Sequence, residues 1–159
     1  MAGSSSSLGM SPTGGWPRTS SGADAVVNFA SREFASQNQG PALALADVTG
    51  TATLLEAARK VRVQRFLLVS SDAVYGPPKG GPSREEDPPA PQTPAAAARL
   101  GAELFARAYQ MIHRVPVVIA RGVAAYGPRQ PLEQQVARMI GCALQRRPHR
   151  DRWRWFSGA

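Results

Sequence analysis

The chain has almost no cysteine, no long apolar run and no glycine-rich turn behind a strand, and each shortage removes a class of protein. Cys142 is the single cysteine among 159 residues, which excludes an internal disulfide and a zinc cluster. In "ARMIGCAL" that thiol reads as a small buried side chain rather than a nucleophile, and no metal site is expected. No apolar stretch approaches the ~20 residues of a membrane span. The opening "MAGSSSSLGMSPTGGWPR" lacks the apolar centre of a secretory signal. It is Ser-rich with no acid before Asp24, as transit peptides are, yet Arg18 is its only base. A soluble cytoplasmic protein is the expectation. Acidic residues are also few, 11 against 19 basic, for a net charge of +8. That balance favours polyanion contact in general, but an Arg-rich solvated surface is the preferred reading.

What is present suits one folded unit. Hydrophobic residues make up 43%, within the globular range, and the length allows one domain with a modest core. Gly (15) and Pro (14) are frequent and gather in the N-terminal stretch and in Pro77 to Pro94. Residues 1–22 read as a disordered Ser/Gly-rich tail, residues 23–145 as the folded unit, and 146–159 as a basic, aromatic tail without periodicity. Within the unit, "ADAVVNFA" is a short strand. "GPALALADVTGTATLLEAARK" is a helix with Pro41 at its start and Leu45, Val48, Leu55 and Ala58 on one face. Gly50 costs that helix stability but permits close approach to a sheet. "QRFLLVSSDAVYG" is a second strand, expected to be buried on both sides.

A Pro/Gly-rich acidic loop follows, and then a helix with Thr93 as its cap and Pro94 in its first position. Its apolar stripe is expected at Ala97, Leu100, Leu104, Ala108 and Ile112, covering the sheet. "VPVVIARG" is a third strand and "LEQQVARMIGCALQ" a further helix. The alternation predicts an α/β fold, a parallel three-stranded sheet with flanking helices. Such a sheet is one half of a doubly wound fold.

The motifs "DAVVNFA", "DVTGTATLLEAAR", "RFLLVSSDAVYG", "TPAAAARLGAELFARAY" and "PVVIARGVAAYGPRQ" resemble, in order and spacing, the extended short-chain dehydrogenases. Among these the chain is most similar to the NAD-dependent epimerase/dehydratase family of nucleotide-sugar enzymes, especially the dTDP-glucose 4,6-dehydratase branch. The resemblance covers roughly Ala23 to Leu144. It implies a partial Rossmann fold, the second half of the family's NAD domain, so a truncated chain is expected.

The same resemblance supplies an active site against which each position can be compared. The family's Tyr-x-x-x-Lys pair works from one helix face, the cation lowering the Tyr pKa for proton transfer. Here the Tyr position is Ala95 and the Lys position Arg99. Alanine transfers no proton, and arginine is a planar fork rather than a point donor. Of the Thr-Asp-Glu run at the strand end, Ser71 and Asp72 stand for the first two and Ala73 for the lost Glu. These two are candidate catalytic residues, although capping of backbone groups at a strand-to-loop junction is the preferred role. Ala124 replaces an Asn that contacts the sugar nucleotide, while Arg121, Tyr126, Gly127 and Pro128 are retained, and Asp47 stands where the family has Asn.

NAD is the implied cofactor, with Ala30, Ser31, Ser70 and Arg99 as its wall. Gly3, Gly14 and Gly15 follow no apolar strand and form no phosphate cradle, so NAD binding is expected to be weak.

These positions lead to the expectation of a catalytically degenerate epimerase/dehydratase-like protein, not an active enzyme. It would act through association with itself or with an intact relative, through the helices 41–60 and 94–113 that match the family's dimer bundle. One alternative is a residual NAD-dependent dehydratase or epimerase using Ser71, Asp72 and Tyr75. Another is nucleic-acid contact through the tail. Arg146, Arg147, Arg150, Arg152 and Arg154 would meet phosphates, while Trp153, Trp155 and Phe156 stack on bases. A solvated tail is preferred over that second alternative.

Overall fold

The parallel strands lie side by side in chain order, β1 (Ala25–Asn28), β2 (Arg65–Ser71) and β3 (Val117–Gly122), with β2 in the centre. In this computed structural model, residues 23–29, 40–78, 80–123, 125–130, 132 and 134–147 are described. The segment 1–22 and residues 148–159, expected to be tails, lie outside them. Between β1 and β2 run α1 (Gly40–Ala44), a π-helical turn (Leu45–Thr49) and α2 (Gly50–Val61). Between β2 and β3 come a short 3-10 turn (Asp72–Tyr75), the loop 76–93 and α3 (Pro94–His113). α4 (Gln135–Leu144) follows β3. The fold class is therefore the expected α/β arrangement, a parallel three-stranded sheet with flanking helices. Among the described residues no helix is long and apolar enough to cross a membrane.

Register follows from where the apolar residues fall. Phe66 pairs with Val117 and Val26, and Leu68 with Ile119 and Asn28. One face of β2 therefore presents Phe66 and Leu68 to α2 and α3, where both are buried against Leu55, Ala58, Ala102, Ala106 and Val115. Burial of each such large side chain contributes roughly 1.5–3 kcal/mol. The opposite face differs from the expectation of a strand buried on both sides. Leu67 and Val69 are only half-buried, and Val27 and Val118 are exposed. Among the described residues the helices α2 and α3 pack on the Phe66 face, so the other side chains are shielded mainly by their strand neighbours.

The sequence misplaced one helix face, that of α3, and one residue of another, Leu45, whose expected companions Leu55 and Ala58 are buried and Val48 half-buried. On α3 the inward residues are Ala98, Ala102, Glu103 and Ala106. Of the expected packing stripe, Ala97, Leu104, Ala108 and Ile112 are exposed, together with Phe105 and Met111, and Leu100 is half-buried. Small side chains let α3 lie close on a sheet whose bulk comes from Phe66 and Leu68. In α1 and the π turn, Leu45 points outward while Leu43 and Asp47 are buried. The wider i→i+5 turn keeps Leu43, Asp47 and Thr51, each four residues apart, on the buried side. A regular helix would have let that row drift around the axis. The start of α3 is as expected, because Thr93 Oγ1 accepts from the Ala96 N–H at 3.1 Å and Pro94 follows in the first turn.

Candidate functional site

The C-terminal edge of a parallel sheet is where open α/β folds bind ligands, because the strands end there and helix N-termini begin. Here that edge gathers Asn28, Ser70, Ser71, Arg121 and the first turns of α3. Asn28 is buried, and its Nδ2 donates to Thr51 Oγ1 at 3.0 Å, tying the end of β1 to α2.

Register sets the next contact. Ser70 lies beside Arg121 across the β2–β3 pairing, and both side chains reach the fully buried carboxylate of Glu103 on α3. The Ser70 hydroxyl donates to Oε1 at 2.5 Å. Arg121 Nε donates at 3.0 Å and 3.2 Å, and its Nη2 at 2.7 Å. Two parallel donors on one carboxylate make a fork-to-fork pair. The hydrogen bonds to Glu103 hold the Arg121 pKa above its ordinary value. The guanidinium also lies 4.5 Å from the Tyr75 ring centroid, a favourable cation–π distance.

Ala95, Arg99 and Glu103 are spaced four residues apart on α3, so they share one helix face. Arg99 turns toward the sheet. Its Nη1 donates to the Val69 carbonyl at 3.0 Å, and its Nε lies 3.5 Å from Asp47 Oδ2. The Asp47 side chain is 2% exposed and that of Arg99 12%. Gly101 sits beside this pair, and a Cβ there would come within 2.9 Å of Val48 Cγ2. α3 and the π turn are thus in direct contact.

Ser71 and Asp72, the candidate catalytic residues, occupy the junction of β2 and the 3-10 turn. Ser71 Oγ accepts from the Ala73 N–H at 3.2 Å and donates to Asp72 Oδ1 at 3.1 Å. Ser71 therefore caps the turn, and Asp72 is exposed. Ala95 is half-buried at the start of α3. After the turn, Gly76 takes φ 74° and ψ −159°, a region that side chains other than glycine's scarcely enter. The loop then borders an open depression of 460 Å³ lined by Tyr75, Pro77, Arg84 and Asp87, among others.

Of the wall expected for NAD, Ala30 and Ser31 lie outside the described residues, as does Ala124. Ser70 has its only donor on Glu103, and Arg99 has its charge against Asp47. These two side chains are engaged inside the chain. Glu103 was missed from sequence, although its place four residues beyond Arg99 on one face was the available signal. Among the described residues no group of three His, Cys, Asp or Glu is placed to hold a metal ion.

The sequence model of the NAD dependent epimerase/dehydratase family matches residues 18–153. The chain is 39% identical over 120 residues to the low-salt glycan biosynthesis protein Agl12 of Haloferax volcanii, covering 74% of this chain and 39% of that protein. It is 38% identical over 117 residues to a dTDP-glucose 4,6-dehydratase of Streptomyces niveus, covering 72% of this chain and 35% of the relative. The crystal structure of a dTDP-glucose 4,6-dehydratase from Streptomyces venezuelae with NAD bound superposes with a TM-score of 0.71 at 35% identity. That match covers 77% of this chain and 38% of the other. The chain thus spans less than half the length of these relatives.

Proposed function

The chain belongs to the NAD dependent epimerase/dehydratase family, and from that premise we propose that it is a catalytically degenerate nucleotide-sugar epimerase/dehydratase-like protein that acts by association. Its partner is a second copy or an intact relative, and the contact surface is the outward side of the helices at 41–60 and 94–113. The observation that carries this reading is the outward face of α3. Leu104 is 59% exposed, Met111 72% and Ile112 72%, and they form with Phe105 and Ala108 a contiguous apolar stripe of the kind that marks interaction sites. The sequence carries enough apolar residues for two faces of this helix, and the sheet uses only the alanine one.

The chemistry of the strand end supports the degenerate half of the reading. Ala95 supplies no proton donor at the first turn of α3, and Ala73 no carboxylate beyond Asp72. Ser71 is engaged as a cap. Proton transfer to or from a sugar hydroxyl needs a titratable group within hydrogen-bond reach of it, and among the described residues of the strand end and the turn after it Asp72 and Tyr75 remain to serve. NAD, which the family's chemistry requires, is expected to bind weakly to this chain, because Gly3, Gly14 and Gly15 follow no apolar strand in the sequence and so offer no phosphate-binding turn.

The test is the solution mass of the full chain by light scattering, alone and mixed with an intact family dehydratase. An oligomer or mixed complex that dissociates in the Leu104→Glu/Ile112→Glu variant is the expected result. A monomer at all micromolar concentrations that also ignores the relative would refute association. Turnover of a nucleotide sugar in the presence of NAD would refute degeneracy.

A further inference from the structure

The buried polar groups around the strand ends fall into two sets, and one of them bears on what the site can accept. Glu103 balances Arg121 and orders β2 against β3. Asp47 and Arg99 do something else, because Arg99 lies on the face of α3 that also carries Ala95 and so borders the open edge of the sheet. A long cationic side chain in that place has two options. It can extend toward the edge, where an anionic ligand would meet a full positive charge, or it can fold back onto the protein.

It folds back. Nη1 is fixed on the Val69 carbonyl at 3.0 Å, and Nε faces Asp47 at 3.5 Å. Asp47 is placed for this by the π turn, which holds it inward beside Leu43 and Thr51. The contact at Gly101, where no Cβ fits against Val48, keeps α3 and the π turn close enough for the pair to meet. A cation beside a carboxylate presents a dipole rather than a charge, and its field at an approaching ligand is correspondingly small. With both side chains largely out of water, separating them to greet a ligand breaks a buried ion pair, which is costly.

We propose that Asp47 is a positioning residue that turns Arg99 inward, so that the two act as one unit closing this wall of the site to anionic ligands, dinucleotides among them. The inference rests on the degenerate reading of the site and gives it a physical cause at one wall. It also makes a claim of its own, that the wall reopens when the anion is removed and the cation kept. Asp47→Asn does this with little change of shape.

The experiment uses the full chain and four forms of it, the parent, Asp47→Asn, Arg99→Met and the double variant. Thermal midpoints are read first. Each single variant is expected to melt lower, and the double to lose clearly less than the sum of the two. Additive losses would overturn the pairing.

NAD titration follows by calorimetry, with inorganic pyrophosphate as a second probe. Asp47→Asn is expected to bind NAD about tenfold or more tightly than the parent, with Arg99→Met and the double variant gaining nothing. Equal binding by parent and Asp47→Asn would overturn the closing role even if the pair proves coupled. Should Asp47→Asn fail to fold, Asp47→Asn/Arg99→Lys keeps a cation without its carboxylate and is expected to show the same gain, its absence overturning the proposal. Turnover of a nucleotide sugar by the parent with NAD would instead sink the degenerate reading, while the thermal cycle still decides whether the pair exists.

Discussion

Removing the carboxylate of Glu103 should destabilise this chain more than any other single truncation at the strand ends. The side chain is fully buried and satisfies the Ser70 hydroxyl at 2.5 Å and Arg121 through a double contact whose shortest distance is 2.7 Å. Glu103→Ala leaves the Arg121 guanidinium, only 11% exposed, without its counter-charge. Breaking a buried pair from one side costs about 3–5 kcal/mol, and an orphaned hydroxyl about 1–3 kcal/mol more when it finds no water. The two overlap, because a cavity that admits water relieves both, so about 4 kcal/mol is the expected total. That is a large part of the ~5–15 kcal/mol by which folded domains are stable.

Urea unfolding followed by helical circular dichroism measures it. With a slope of ~1–3 kcal/mol per molar urea for small domains, the midpoint should fall by about 2 M with the slope unchanged. Glu103→Gln keeps the shape and an acceptor for Ser70 but not the charge, and should fall about half as far. Exchanging the whole pair, Glu103→Leu/Arg121→Met, should recover most of the loss, since apolar replacements of buried ion pairs are often neutral. A midpoint for Glu103→Ala within ~0.3 M of the parent would refute the idea that this carboxylate balances a buried cation. Equal losses for Ala and Gln would refute the shape component.

Two further perturbations follow from the same structure. Gly76→Ala places a Cβ 2.3 Å from the Ala90 carbonyl oxygen at φ 74° and should cost at least ~2 kcal/mol, read as a lower urea midpoint; a neutral result would mean that the loop base is not held as described. Glu56 is held down to about 2 from an ordinary 4.5, first by its hydrogen bonds to Arg59 and then by Lys60 and the Tyr109 hydroxyl. Because its folded pKa is depressed, its contribution is complete above 4.5 and fades as pH falls toward about 2. The gap in melting temperature between parent and Glu56→Gln should close over that range and shrink in high salt; a gap that persists at the acid end would contradict it.

The sequence was most legible where local rules decide. The apolar runs of β2 and β3 lie where expected, and Thr93 with Pro94 marks the start of α3 to the residue. The parallel order of the strands follows from helices between them, which leaves no room for hairpins. Facing was not legible. α3 carries apolar residues on two sides, and periodicity alone ranks Leu104 and Ile112 above Ala98, Ala102 and Ala106. Which side meets the sheet depends on the bulk of Phe66 and Leu68, a tertiary fact.

The π turn was equally invisible, since a one-residue change of helical phase has no composition of its own. At the site, Arg121, Asp47 and Arg99 were each noticed singly. Their partners depended on register and on the approach of α3 to the π turn at Gly101.

The loop after the 3-10 turn leaves the framework at Gly76 and comes back to it at once. The Ala90 N–H donates to the Val74 carbonyl at 2.9 Å, and the bare Cα of Gly76 lets the returning strand of chain pass against it. Between those ends Pro78 and residues 80–89 are exposed, so the fold below depends mainly on the two ends being held together. Closing a longer loop is inexpensive, each doubling adding about 0.6 kcal/mol. The exposed stretch 80–89 is thus interchangeable cargo on a fixed socket, a place where this chain can be given a new surface segment while the sheet edge beneath keeps its form.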